Sequence, residues 1–135
     1  MFGHLNLEPP HQMDGFDRVI GLQITEVSDE LARGTVPVRE RLKDRAGLVD
    51  VGVYASIAEG LATTGTAVAV LQEGKRALPL SSQTSFLRPI TRGTIHALAT
   101  RKHRGRTTWV WDVEMCDDEH RPCVRTRMTL AVSEG

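Results

Sequence analysis

The sequence predicts an α+β fold in which a curved antiparallel sheet wraps one long central helix. Three observations predict it. Only the stretch Val51 to Gln72 reads as a long helix, and the segments on either side alternate as strands do. The element order is two strands, one helix, four strands. The helix is rich in Ala and Gly on all sides, so other backbone can approach it closely. A flat meander would leave such a helix half exposed.

The elements follow in order. Residues 1–14 are expected to form an N-terminal arm, with Pro9-Pro10 as a breaker, and 15–135 a single domain. Residues 12–20 suit a short helical turn. Gly21 to Val27 and Leu31 to Arg39 read as strands joined by a hairpin turn at Ser28-Asp29-Glu30. In the second strand Ala32, Gly34, Val36 and Val38 alternate with polar residues. A polar connection, Glu40 to Asp50, leads to the helix. On a helical wheel Val53, Ile57, Leu61, Val68 and Leu71 share one side, and Ser56, Glu59, Thr63 and Thr66 another. Gly74 suits a C-cap. Strands are then expected at Ala77 to Leu87, Gly93 to His103, Thr107 to Cys116 and Cys123 to Val132. Trp109, Trp111, Val113 and Met115 fall on one face of the third of these. Tight connections at His103–Arg106 and Asp117–Pro122 complete the pattern.

Composition removes several function classes. The chain has 135 residues, enough for one hydrophobic core. Seventeen basic and seventeen acidic residues cancel, so no overall field favours nucleic acid or a membrane surface. Glu59, several Thr and two Gly interrupt the longest apolar stretch, so no transmembrane span is expected. The N-terminus lacks a basic region followed by an apolar block, which points to the cytoplasm. Cys116 and Cys123 flank a turn and are expected to be reduced. His4, His11, His96, His103 and His120 are scattered, so no metal site is expected.

The chemistry centres on Glu59, a lone carboxylate in a helix of small and apolar residues that reads as buried. A buried ion is costly unless it is paired or used. From the residues alone Glu59 is either a tied-down structural carboxylate or a catalytic one.

Several segments carry a family resemblance. Arg45-Ala-Gly-Leu-Val-Asp-Val-Gly-Val-Tyr-Ala-Ser-Ile-Ala-Glu-Gly-Leu-Ala-Thr63 resembles the helix motif of hotdog-fold acyl-CoA thioesterases, Gly-Leu-Val-His-Gly-Gly followed by apolar residues and Leu-Ala-Glu. Thr84-Ser-Phe-Leu-Arg-Pro89, Arg106-Thr-Thr-Trp-Val-Trp-Asp112 and Met128-Thr-Leu-Ala-Val132 match in the same order. The resemblance is greatest to the Glu-dependent 4-hydroxybenzoyl-CoA type, akin to thioesterases of phenylacetic acid degradation, and covers roughly residues 20 to 133.

The resemblance implies hydrolysis of an acyl-CoA thioester with no cofactor. Glu59 would act as nucleophile or as base on water, and a backbone N–H at Val51 or Gly52 would polarise the carbonyl. Thr63, one turn beyond Glu59, would orient the carboxylate or the water. The chain departs from the motif at Asp50, where relatives have His, at Val51 in place of Gly, and at Asp44 in place of a polar amide. Asp50 suits a helix N-cap and ranks second to Glu59 as a base. Arg88, Lys102, Arg104, Arg106 and Thr107 are candidates for the coenzyme A phosphates. Ser82 and Gln83 are candidates for the acyl end, and Tyr54 and Thr84 for contact with substrate. A single-layer sheet with open edges suggests self-association. The family implies a homodimer at least, and often a homotetramer, with sites at the subunit interface.

The plainer readings are solvated charge for the hairpin bases, packing for Trp109 and Trp111, and surface turn positions for His103 and His120. A non-catalytic acyl-CoA-binding protein is the rival that Asp50-Val51 favours. A dehydratase acting on a 3-hydroxyacyl thioester ranks lower, because no His lies between His11 and His96.

Overall fold

The computed structural model describes residues 11–12 and 15–135 of the chain. Strand β1 (His11–Gln12) and helix α1 (Gly15–Ile20) precede β2 (Gln23–Val27) and β3 (Leu31–Pro37). Helix α2 (Val51–Val70) follows, then β4 (Lys75–Phe86), β5 (Thr94–Arg104), β6 (Thr108–Cys116) and β7 (Pro122–Glu134). The expected helix, short helical turn and six strands are all present. The expected arm, residues 1–14, lies outside the described residues except for β1, which pairs with β2.

All pairings are antiparallel, and the sheet runs in the order β1-β2-β3-β5-β6-β7-β4. The helix carries the chain from β3, near one edge, to β4 at the other. In between, α2 touches every strand from β2 to β7. This is the wrapped-helix hotdog arrangement that the element order predicted.

Local chemistry sets the helix ends. Asp50 at the N-cap accepts a hydrogen bond from Gly52 N–H at 2.8 Å. At the other end α2 gives way at Val70 to a 3-10 turn, Leu71–Glu73, closed by Gly74 at φ 74°. Gly is the residue that takes this left-handed conformation without a Cβ clash. The turn breaks the helical phase, so Leu71, expected on the core side, is exposed instead.

The core lies between α2 and the inner face of the sheet. Ala32 and Val36 of β3, Ile95, Ala97 and Ala99 of β5, and Met128 and Leu130 of β7 alternate inward. Trp109 and Trp111 are packing residues, as expected. Both are buried, with ring centroids 6.4 Å apart and planes 24° apart. The helix meets the sheet most closely at Gly65, where a Cβ would come within 2.5 Å of Trp111 Cη2. Beside it, Trp111 Nε1–H donates to Thr66 Oγ1 at 2.9 Å, and Thr66 Oγ1 donates to the Ala62 carbonyl at 2.9 Å. The wheel placed Thr66 on Glu59's side. It is instead fully buried: the two residues are only about 20° apart around the helix, but Thr66 sits about two turns further along, where the Trp111 ring covers it.

The outer face is polar. Arg127 forms a two-pronged pair with Asp112 at 2.8 and 3.0 Å, and Arg125 pairs with Glu114 across the same two strands. Among the described residues, no helix is long and apolar enough to cross a membrane.

The contact at Gly65 generates a test. Gly65→Ala forces a methyl into the Trp111 ring, and the expected cost is about 1–3 kcal/mol of stability, read as a lower urea midpoint at unchanged slope.

Candidate active site

The start of α2 opens onto a cavity of about 270 Å³. The preceding loop contributes Asp44, Leu48 and Val49. The helix adds Val51 and Tyr54, and the end of β4 with its following loop adds Phe86, Leu87, Arg88 and Pro89. The walls are mostly apolar, and Tyr54 and Phe86 face each other with centroids 6.1 Å apart at 59°. Tyr54 Oη is buried and makes no hydrogen bond among the described residues. Burial pushes its phenol up, opposed by the nearby Ile90 backbone amide. Tyr54 therefore lines the cavity while its hydroxyl stays buried beside the Ile90 backbone amide.

The backbone donors at this mouth differ in availability. Gly52 N–H is taken by Asp50 Oδ1, and Val53 N–H by the Asp50 carbonyl at 3.0 Å. Val51 N–H makes no hydrogen bond among the described residues. It lies at the positive end of a 20-residue helix. The Asp44 carboxylate is engaged in its own loop, where Oδ1 accepts from Ala46 N–H at 2.8 Å and Leu48 N–H at 3.1 Å.

Glu59 is not buried in the chain. It is exposed, in a line with Val51 and Ala55 at four-residue spacing. The small residues of α2 serve two faces. Ala58, Ala62 and Gly65 pack inward, whereas Gly52 and Ala55 lie open, so composition marked close approach without saying on which side. Thr63, one turn on from Glu59, has a buried Oγ1 with no hydrogen-bond partner among the described residues.

The other candidates fall into two groups. Arg88 lines the cavity at the start of α2. Arg104 and Arg106 instead border a recess with Val70, Glu73 and Lys75 at the far end of the helix. Thr107 lies in the same hairpin. A helix of 20 residues is about 30 Å long, so one chain does not bring the two groups together. Arg104 donates to Asp29 Oδ2 at 2.8 Å and lies 4.8 Å above the Trp109 ring. Arg101 donates to the Asp29 carbonyl at 2.8 Å. On β4, Thr84 bonds Thr126 at 3.0 Å on the helix side. Strand alternation puts Ser82 on that side too and Gln83 on the outer face, where it neighbours Asp112 and Arg127. Cys116 and Cys123 are free thiols, and burial pushes both up.

One residue escaped the sequence reading. Asp17 of α1 sets its carboxylate against α2 at Gly60, the residue after Glu59. A Cβ on Gly60 would lie 3.0 and 3.1 Å from the Asp17 oxygens and 2.9 Å from Leu22 Cδ2. The available signal was Gly60 itself, since a glycine in a helix interior costs up to about 1 kcal/mol against Ala and marks a close contact.

The spare N–H at the helix start, the apolar cavity beside it and the carboxylate on the same helix all lie within a hotdog wrap. Residues 47–124 match the model of the thioesterase superfamily, and the chain belongs to that family. It is accordingly an enzyme of acyl-thioester hydrolysis. Rv1847 of Mycobacterium tuberculosis, which bears an esterase name, is 35% identical over 118 residues, covering 85% of this chain and 84% of the relative. The proofreading thioesterase EntH of Cronobacter turicensis is 26% identical over 113 residues, covering 84% and 82%. Among solved structures, Rv1847 superposes with a TM-score of 0.85 at 32% identity, covering 89% of this chain and 97% of that one. Thioesterase HI1161 of Haemophilus influenzae superposes at 0.79 with 29% identity, covering 85% and 80%.

The Asp50 cap predicts a separable stability effect. Asp50→Ala should cost about 1 kcal/mol in urea denaturation, whereas Asp50→Asn, which keeps a capping oxygen, should cost much less.

Proposed function

We propose that this enzyme hydrolyses the thioester of an acyl-coenzyme A, with an aryl acyl group favoured, to a carboxylic acid and free coenzyme A. The observation that carries the reading is the unengaged Val51 N–H at the head of α2, above an apolar cavity, with the Glu59 carboxylate on the same helix face. The apolar walls with Tyr54 and Phe86 favour an aryl group. A coenzyme A substrate also places the reaction in the cytoplasm.

The carbonyl oxygen sits on Val51 N–H, where the helix dipole adds to the bond, and negative charge grows there as the carbonyl carbon is attacked. With Glu59 as base, water adds to the carbon and gives its proton to the carboxylate. The tetrahedral intermediate collapses, the C–S bond breaks, and the proton passes to the leaving thiolate. With Glu59 as nucleophile, the carboxylate adds directly, the thiolate leaves, and water opens the resulting anhydride. Thr63 Oγ1 orients the carboxylate or the water in either route. Asp50 serves as the cap, its Oδ1 turned to Gly52 N–H rather than to the substrate. The reaction draws on water and protein groups and calls for no cofactor.

Geometry favours a site shared between copies. Val51 and Glu59 are eight residues apart, a rise of about 12 Å, which is long for one carbonyl to bridge. Edge strand β4 exposes Leu78, Leu80 and Phe86 and packs along α2. Its Pro79, at a bulge, is tolerated at an edge. We place a second copy on this edge, antiparallel about a twofold axis. That arrangement sets Val51 of one copy towards Glu59 of the other. It also brings Arg88 at one end of β4 towards Arg106 and Thr107 at the opposite end of the second copy. The separated basic groups then converge on one nucleotide. Such a pair is the minimum assembly; a homotetramer would join two of them.

Thiol release from a panel of aryl- and alkyl-CoA thioesters tests the chemistry. Glu59→Gln should abolish turnover. Val51→Pro should lower kcat about 100- to 1000-fold while the helix remains, because proline fits the first helical position and removes only the N–H. Full activity in Val51→Pro would exclude that donor.

Mixing tests the sharing. After unfolding and refolding together, Glu59→Gln and Val51→Pro chains should regain turnover, since a mixed pair holds one intact Val51–Glu59 site. Two inactive partners that remain inactive when mixed would place the site within one chain.

A further inference from the structure

We infer that the side chain of Val51, as distinct from its N–H, is a specificity-determining residue: its isopropyl group excludes acyl groups that branch at the carbon next to the thioester carbonyl. The inference rests on the reading of Val51 N–H as the donor to that carbonyl. It starts from where the side chain stands. Val51 is the first residue of α2, is 60% exposed and lines the cavity together with Tyr54, Phe86 and Leu87. Its isopropyl group therefore fills no core position. In a helix the Cα–Cβ bond tilts towards the N-terminus. At the first helical position the side chain thus projects ahead of the helix, into the space that the free N–H also faces.

Covalent geometry ties the donor to the side chain. At the φ of an ordinary helical residue, about −63°, the N–H and Cα–Cβ bonds of one residue nearly eclipse each other in a view along N–Cα. A carbonyl oxygen held about 2.9 Å from the nitrogen then lies about 3.5 Å from Cβ, which is van der Waals contact. The Cγ methyls reach further in the same direction, towards the carbonyl carbon and the groups it carries. Because Val51 shares its cavity with Tyr54, Phe86 and Leu87, the group that meets those methyls is the acyl chain. A flat ring or an unbranched CH2 passes beside them. An extra methyl on the α-carbon, or on both ortho positions of a ring, runs into them.

The stop is rigid. Valine in a helix keeps almost entirely to one χ1 rotamer, so the methyls do not swing aside. The backbone that carries them is tied on both sides. Asp50 Oδ1 accepts from Gly52 N–H at 2.8 Å. Asp50 N–H donates to the Leu42 carbonyl at 2.8 Å, and Val49 N–H donates to the Ile90 carbonyl at 3.2 Å. The start of α2 cannot retreat from a bulky substrate without breaking these bonds.

The test is kcat/KM for thiol release from matched pairs, butyryl-CoA against 2-methylpropanoyl-CoA and benzoyl-CoA against 2,6-dimethylbenzoyl-CoA. Wild type is run beside Val51→Gly, Val51→Ala, Val51→Thr and Val51→Pro. The reading is the ratio of unbranched to branched substrate within each protein, which cancels intrinsic reactivity and any general loss at the helix start. Val51→Gly should lower that ratio about 10- to 100-fold, and Val51→Ala should lower it part of the way. Val51→Thr, which keeps the branched shape, should hold the wild-type ratio. A side chain with a structural role alone would change both members of a pair alike. An unchanged ratio in folded Val51→Gly and Val51→Ala, with Val51→Pro depressed on every substrate, would overturn the inference and leave the donor reading standing. Full activity in Val51→Pro would overturn both.

Discussion

The close approach of α2 to the sheet is the constraint on which the rest of the structure depends. It is made by absences and by one polar chain. Gly65 leaves room for the Trp111 ring, and the ring's N–H must find an acceptor once buried. Thr66 supplies that acceptor and passes its own hydrogen to the Ala62 carbonyl. The contact fixes both how deep the helix sits and how it is turned. Each residue advances about 100° around the axis, so a slip of one position would bury Glu59 or expose the core face. With the rotation set at Gly65 and Thr66, Val51, Ala55 and Glu59 have one place to go, the face beside β4.

The same rotation explains why β4 looks unlike the other strands. It is hydrogen-bonded on one side only, to β7, and its side chains stay largely exposed although α2 packs along it. Its apolar residues Ala77, Leu78, Pro79 and Leu80 run consecutively, and Leu78, Leu80 and Phe86 stand in the open. Helix face and strand edge lie side by side, and the unengaged Val51 N–H stands at the head of that helix face.

Much of this was legible in the sequence. Element order, helix bounds to within two residues, the Asp50 cap, the Gly74 terminator and the packed tryptophans all come from local patterns that tertiary structure did not override. The placement of the candidate residues relative to one another was less legible. Glu59 read as buried because small residues announce contact without direction. Ser82 and Gln83 read as a pair, but adjacent strand residues point to opposite faces. Arg88 and Arg106 read as one basic set, although a 20-residue helix separates them. Asp17 drew no notice because its contact spans 43 positions of sequence, and no periodicity reaches across that gap. The interior glycine at position 60 was the only mark it left.

The walls of the cavity come from four separate segments: the loop before α2, the first turn of the helix, the end of β4 and the start of β7. None takes part in the Gly65–Trp111 contact, which lies 11 or more residues along the helix, about 17 Å away. Substitutions that far apart act nearly independently. Natural variation can therefore reshape what the cavity accepts without disturbing what holds the helix in the sheet. The scaffold is constrained at Gly65 and Trp111, whereas the cavity walls around Leu48, Tyr54 and Leu87 can change without touching that contact.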